Sequence, residues 1–267
     1  MISSGTKKTR ETYALITGAS SGIGFEIADL LADRYALILA SSDSRRLRKA
    51  AERIKRRHPN VPDPVVMPVD LSDRNVLFPF YQSVSHYPVE VLVNAAGIGV
   101  YGSFDQTDAD RELSMLDLNA AASYYLTKRF YQDMGKRGGG FILNVDSSAG
   151  YMPGGPMMAA YYASKAYVFS LTRSIQYENP NNGVSVSLLC PGPVRTDFHR
   201  RAGISGSPGK MSPKAVARSG VRGMFAKKRL IIPGFWNRFT YIGKKILPDA
   251  FLLRINAVIQ RKKSDTP

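Results

Sequence analysis

Tyr161 and Lys165 stand four residues apart at the end of the stretch FILNVDSSAGYMPGGPMMAAYYASK, residues 141–165. On a helix that spacing puts both side chains on one face. A phenol ordinarily holds its proton up to about pH 10. A neighbouring ammonium favours the phenolate and brings the group toward the range where it can give and take a proton. Asp146, Ser147 and Ser148 follow the apolar, β-favouring run 141–145, so a serine hydroxyl at a strand end can hydrogen-bond a carbonyl oxygen held against the tyrosine. The chemistry in view is proton exchange at an oxygen. A surface tyrosine and a solvated lysine give the same spacing, so the surrounding elements must decide.

A second stretch belongs to phosphate chemistry. The short apolar run 13–16 leads into Thr17-Gly-Ala-Ser-Ser-Gly-Ile-Gly24, and an amphipathic helix follows over about 23–34 with Ile27, Leu30 and Leu31 at helical spacing. Glycines between strand and helix let the backbone turn tightly and approach a pyrophosphate, while the helix N-terminus supplies amide donors and a favourable dipole. Gly18, Ser20, Ser21, Gly22, Ile23 and Gly24 are therefore candidate cofactor contacts. The next strand, 36–40, would carry an acid at its end if the cofactor were NAD, to accept from the ribose hydroxyls and repel a phosphate. Ala40-Ser41-Ser42 has none; Asp43, Arg45 and Arg46 come later. NADP(H) is expected over NAD(H), with Ser41 and Ser42 as phosphate ligands.

The elements that must position these groups alternate regularly. Strands are expected at 13–16, 36–40, 65–69, 90–93, 141–145 and 184–189, with helices at 23–34, 44–57, 73–86, 107–136 (in two pieces) and 161–178. Short apolar strands alternating with helices specify an α/β fold: a doubly wound, Rossmann-type parallel sheet covered by helices on both faces. Past residue 200 a glycine- and serine-rich loop (202–210), a helix opening at Ser212-Pro213, an edge strand near 230–233 and helices at 235–247 and 248–260 are expected. That tail is too short to bury its own core, so 1–267 is read as one domain, with 198–267 as its substrate lid and basic extension. Residues 1–11 are expected to fray.

The 267 residues carry a net charge of +16, and from Arg200 onward 16 Lys and Arg face only Asp249 and Asp265. A basic region so concentrated suits an anionic partner: a membrane surface, or a coenzyme-A or carrier-protein conjugate. A solvated lysine face explains it equally well. Nucleic acid is not expected, because no recognition motif accompanies the charge. The lone Cys190 excludes an internal disulfide framework, and His58, His86 and His199 lack metal-ligand spacing, so no metal is expected. With no apolar run suited to a signal peptide or a membrane span, the expected location is cytoplasmic, with peripheral membrane contact as a variant.

Taken in order, these motifs resemble the short-chain dehydrogenase/reductase family over about residues 12–197. The resemblance is carried by Thr17–Gly24, Asp70-Leu71, Asn94-Ala-Ala-Gly97, Asn119, the serine-bearing strand, Tyr161-Tyr-Ala-Ser-Lys165 and Pro191-Gly-Pro-Val-Arg-Thr196. It implies that Asp70 and Leu71 bind adenine, and that Asn94, Ala95, Ala96 and Gly97 form a floor under the adenosine ribose, Ala95 standing where the family usually has a second asparagine. It further implies that Tyr161 is the general acid, that Lys165 lowers its pKa and holds the nicotinamide ribose, and that Asn119 anchors a proton-relay water. Pro191, Gly192, Val194 and Thr196 would brace the carboxamide. The family's serine usually precedes the tyrosine by thirteen residues, which points to Ser148. The strand register points to Ser147, and a one-residue insertion in the 153–156 loop reconciles the two in favour of Ser147. Both serines, with Tyr161, are candidate substrate contacts.

The resemblance thus implies an NAD(P)H-dependent oxidoreductase acting on a carbonyl/alcohol pair, hydrophobic or an acyl thioester. The alternative is a catalytically silent dinucleotide sensor using its basic tail. A homodimer or homotetramer through helices 111–136 and 161–178 is expected. The aromatics from Phe235 to Tyr241 are compatible with a substrate tunnel, with core, or with subunit contacts. On helix 248–260, Phe251, Ile255, Val258 and Ile259 share one side; it suits an acidic membrane surface or a subunit.

Overall fold

The computed structural model describes residues 12–178, 181–204 and 211–261; the expected fraying of 1–11 and most of the expected 202–210 loop lie outside them. Seven parallel strands form the sheet: β1 Tyr13–Thr17, β2 Ala36–Ser41, β3 Val65–Pro68, β4 Val89–Asn94, β5 Gly140–Val145, β6 Val184–Leu189 and β7 Leu230–Ile231, in the order β3-β2-β1-β4-β5-β6-β7. The order reverses between β1 and β4. In an open α/β sheet a crevice opens at that point, beyond the carboxyl ends of the strands.

Side chains alternate across each strand and fill two cores. Ala14 and Ile16 of β1, with Leu37 and Leu39 of β2, face one side, whereas Leu15 and Ile38 face the other. The first side is covered by α1 (Gly22–Leu31), α2 (Ser44–Arg57) and α8 (Pro213–Phe225) through Ile27, Leu47 and Val216. The second is covered by α3 (Leu77–Ser85), α5 (Ser123–Lys136) and α6 (Ala159–Glu178) through Phe80, Leu126, Phe130 and Ile175. Leu15, Ile16, Leu39, Leu92 and Phe130 are fully buried, each worth about 2 kcal/mol over leaving it in water.

The expected helix 107–136 is α4 (Ala109–Leu116) and α5, joined by a π-helical turn, Asp117–Ala122, rather than by a break. Asp108 caps α4 by accepting from the Arg111 amide at 2.8 Å, and Ser212 caps α8 by accepting from the Ala215 amide at 3.2 Å. The expected edge strand is β7, paired with β6 through Leu188–Leu230 and Leu189–Ile231. A short helix, α7 (Phe198–Arg201), lies between β6 and α8, and after β7 the chain runs through α9 (Phe235–Lys244) and α10 (Asp249–Arg261).

Candidate active site

The β1–α1 loop is shaped by residues that lack a side chain. Gly18 and Gly22 have φ of 67° and 59°, the left-handed region that glycine enters freely. A Cβ on Gly18 would lie 2.7 Å from the Ala95 carbonyl oxygen, and one on Gly24 would strike the Gly18 carbonyl. The Thr17 hydroxyl accepts from the amides of Ala95 and Ala96, both at 3.1 Å, and ties the loop to the end of β4. Ser21, the residue before α1, makes no side-chain cap, so first-turn amides remain open to the cleft. Backbone turned this tightly, at a helix N-terminus over a floor of Ala95, Ala96 and Gly97, fits a dinucleotide pyrophosphate.

At the end of β2 the Ser41 hydroxyl donates to Ser20 Oγ at 2.9 Å, while Ser42 is exposed. Asp43 caps α2 through the Arg46 amide, and the Arg46 guanidinium reaches across to Asp197 at 3.2 Å. Asp70 takes two hydrogen bonds from Ser72. Both Asp70 and Leu71 line the cleft, as do Ser41, Ser42, Pro191, Gly192, Val194 and Thr196.

The proton-exchange group lies deeper in the same cleft, which encloses about 260 Å³. Tyr161 and Lys165 project from α6 as the spacing requires, and both are buried. Tyr161 and Ser147 line this cleft together, and the Lys165 ammonium donates to the Val145 carbonyl at 3.2 Å. Ser148 lines the cleft too, its amide donating to the Pro191 carbonyl at 2.8 Å. Asn119, carried on the π turn, accepts from the Ile98 amide at 3.0 Å and donates to the Ile98 carbonyl and to Ser164 Oγ. That turn alters the helical register where the asparagine must face the loop after β4.

Asp146, between Val145 and Ser147, is buried against Cys190, with Sγ 3.7 Å from Oδ2. Burial pushes its carboxyl from 3.8 up to about 7, opposed by the Lys165 charge and the Ser147 amide. Burial likewise lowers the Lys165 ammonium, Asp146 opposing. The Tyr161 phenol moves up rather than down: burial dominates, the nearby Ser147 side chain opposes it, and the Asp146 and Tyr162 charges add to it. The expected lowering by Lys165 is therefore not what this structure has. Spacing gave the shared face but not the desolvation.

One further expectation is corrected, and one set of open alternatives is narrowed. Asn94 points away from the cleft into the sheet's second core layer, where Nδ2 donates to Thr127 Oγ1 and to Asn144 Oδ1 at 3.0 and 2.9 Å. Strand alternation sends it inward, so the floor consists of the three residues after it. The 235–241 aromatics line no tunnel: Phe235 and Trp236 are each 75% exposed and only Tyr241 packs inward, against Tyr151. The substrate end is closed instead by Met158, Tyr162, Phe198, Ile204 and Gln260. The Phe198 ring sits 5.4 Å from that of Tyr161. Gln260 donates to the Tyr162 hydroxyl at 2.9 Å, and the Tyr101 hydroxyl donates to the Gln260 carbonyl at 2.6 Å. No local pattern marks residues that meet across 98 and 159 positions.

A family model described as short chain dehydrogenase matches residues 12–204. The chain belongs to the short-chain dehydrogenase/reductase family. Dehydrogenase/reductase SDR family member 4 of Bos taurus is 33% identical over 189 residues, covering 70% of this chain and 67% of that protein. Ketoacyl reductase HetN of Nostoc sp. is 30% identical over 230 residues, covering 82% and 77%. A short-chain dehydrogenase from Sphingobium yanoikuyae, solved in complex with NADPH, superposes with a TM-score of 0.79 at 26% identity over 96% of both chains. The bulky-bulky ketone specific alcohol dehydrogenase of Comamonas testosteroni superposes at 0.74 and 25% identity, over 91% of this chain and 97% of that one. This short-chain dehydrogenase/reductase is thus an NAD(P)-dependent oxidoreductase in class.

Proposed function

We propose that this short-chain dehydrogenase/reductase reduces a hydrophobic ketone with NADPH, Tyr161 acting as general acid. The observation that carries the reading is that Ser147, Tyr161 and Lys165 line, at the carboxyl end of β5, the same cleft as the β1–α1 loop. Bound nicotinamide dinucleotide supplies the hydride. The amides of residues 18–24 hold its pyrophosphate, Asp70 and Leu71 its adenine, the 95–97 floor its ribose, and the 191–196 loop its carboxamide. The Ser147 and Tyr161 hydroxyls grip the carbonyl oxygen from two sides. A phenol whose pKa is pushed up keeps its proton at neutral pH, which suits a donor in the reductive direction. Lys165 orients the ribose and lends positive charge as the oxygen is protonated. Asn119 fixes the loop after β4 beside Lys165: a Cβ on Gly97 would lie 3.1 Å from Asn119 Oδ1 and 3.7 Å from Lys165 Nζ.

Apolar walls at Met158, Phe198 and Ile204 favour a hydrophobic ketone. The ketoacyl-reductase and bulky-ketone names of its relatives agree with that reading. An acid-free β2 end, with Ser41, Ser42 and the Arg46 guanidinium nearby, favours NADPH. We place the 198–267 segment in the same domain, as the roof of this cleft. A homo-oligomer through α4–α5 and α6 is supported by the exposed Leu113, Tyr124 and Tyr167.

The test is nicotinamide absorbance across a panel of bulky ketones and 3-oxoacyl thioesters, with NADPH and with NADH. Turnover with NADPH should exceed that with NADH and fall about 100- to 10,000-fold in Tyr161→Phe. Dinucleotide binding with no turnover on the whole panel would sink the catalytic reading and leave a dinucleotide sensor.

A further inference from the structure

α9 and α10 rest on the body by narrow faces of mixed character, Tyr241 on α9 and Leu252, Asn256 and Gln260 on α10, and leave much of their apolar surface outside. The polar members of those faces make specific contacts. On α9, Asn237 donates to the Pro233 carbonyl at 2.8 Å, and its carbonyl accepts from the Tyr151 hydroxyl at 3.3 Å. On α10, Asn256 donates to the Gly154 carbonyl at 2.8 Å, and Gln260 holds Tyr162. Their outward faces are apolar: Trp236, Phe239 and Ile242 on α9, Phe251, Ile255 and Ile259 on α10 are all exposed. The link between the helices carries Ile246, 77% exposed. These side chains follow one another at helical spacing, so each helix presents a continuous stripe. An exposed apolar area of this kind marks an interaction surface.

Charge selects the occupant. Between residues 234 and 261 the bases Arg238, Lys244, Lys245, Arg254 and Arg261 face a single acid, Asp249. A two-fold contact between copies would set this patch against itself and bring like charges together at close range. Much of the stripe is aliphatic, which suits acyl chains better than stacked bases. No helix among the described residues is long and apolar enough to cross a membrane, so the stripe lies along an interface rather than through it. We propose that the α9–α10 face docks this protein onto an anionic phospholipid surface, with the apolar stripe at the acyl boundary and the flanking bases among the headgroups.

Trp236 is the chain's single tryptophan, so tryptophan emission, excited at the red edge where tyrosine does not absorb, reports on this face alone. Vesicles of phosphatidylcholine with roughly one-third phosphatidylserine should shift its emission to the blue, and brominated acyl chains should quench it. Binding should weaken several-fold in pure phosphatidylcholine, and again on adding salt. Replacing Phe239, Ile246 and Ile255 together by serine, all exposed positions, should lower partitioning about tenfold or more. That triple variant should keep the parental far-UV circular dichroism and melting temperature, which shows that it is folded. Emission unchanged by vesicles, with the protein left in the supernatant, overturns the proposal. So does a blue shift that rises with protein concentration and needs no lipid, since the face would then close on a second copy. The readout involves neither substrate nor NADPH, so failure here and failure of the reductase reading are separately visible.

Discussion

The dinucleotide end of the cleft and its substrate end are held together by different means. Between β1 and α1 the shape comes from missing side chains: Gly18, Gly22 and Gly24 let three backbone segments approach within contact distance. Across the substrate end it comes from a few long polar side chains, Asn256 and Gln260, which hook α10 onto the Gly154 carbonyl and the Tyr162 hydroxyl. One end has no spare volume for a single methyl group. The other is a helix laid on the body, with its apolar side outward. A single added atom should be ruinous in the first region and mild in the second.

The strongest way to break that contrast is Gly24→Ala. Its Cβ would strike the Gly18 carbonyl, and overpacking against backbone should cost about 3 kcal/mol of stability and most dinucleotide affinity. Thermal unfolding and NADPH titration measure both. A variant with parental melting and affinity would show that the loop yields, and the contrast would fall.

How much could be read beforehand follows the same division. The dinucleotide end was legible because backbone geometry is written in residue types: only glycine serves at Gly18 and Gly22, and the continuous apolar runs 13–16 and 36–40 announce the strands that flank the loop. Asn94 shows the limit, since the motif marks its position while the parity of β4 decides that its side chain faces the core. The outward stripe of α10 was visible as a period, but which stripe faces the body depends on acceptors at Gly154 and Tyr162, far away in sequence. The raised Tyr161 phenol was illegible for a related reason, because spacing does not measure burial.

Asp146 sharpens the comparison from between the two regions. Its carboxyl moves from 3.8 to about 7, so the folded chain binds that proton more tightly than the unfolded chain. Stability therefore falls as pH rises between those values, and the full cost stands above the upper one. Asp146→Asn should remove this decline. Measured by urea unfolding, it should be more stable than the parent at about pH 8, by on the order of 4 kcal/mol at most, and equal to it near pH 3. A parent and variant with parallel pH profiles would refute the assignment.

The smallest effect is expected at the roof. Gln260→Ala removes the hydrogen bond to Tyr162; with part of α10 exposed, it should cost about 1 kcal/mol. KM for the ketone should rise a few-fold while NADPH affinity stays at the parental value. Loss of NADPH affinity would mean that the two ends are mechanically coupled.

The strand order has a further consequence, for the sequence of events during synthesis. β1 lies between β2 and β4, and its register with both is complete once Asn94 has been made. The tie from Tyr101 to Gln260 spans 159 residues and must wait for nearly the whole chain. Because long-range closures form late and domains fold from the N-terminus as they emerge, the nascent chain can assemble its phosphate loop while the roof is still untranslated. Stalled or truncated chains ending before residue 235 would then carry a formed cradle beneath an open cleft.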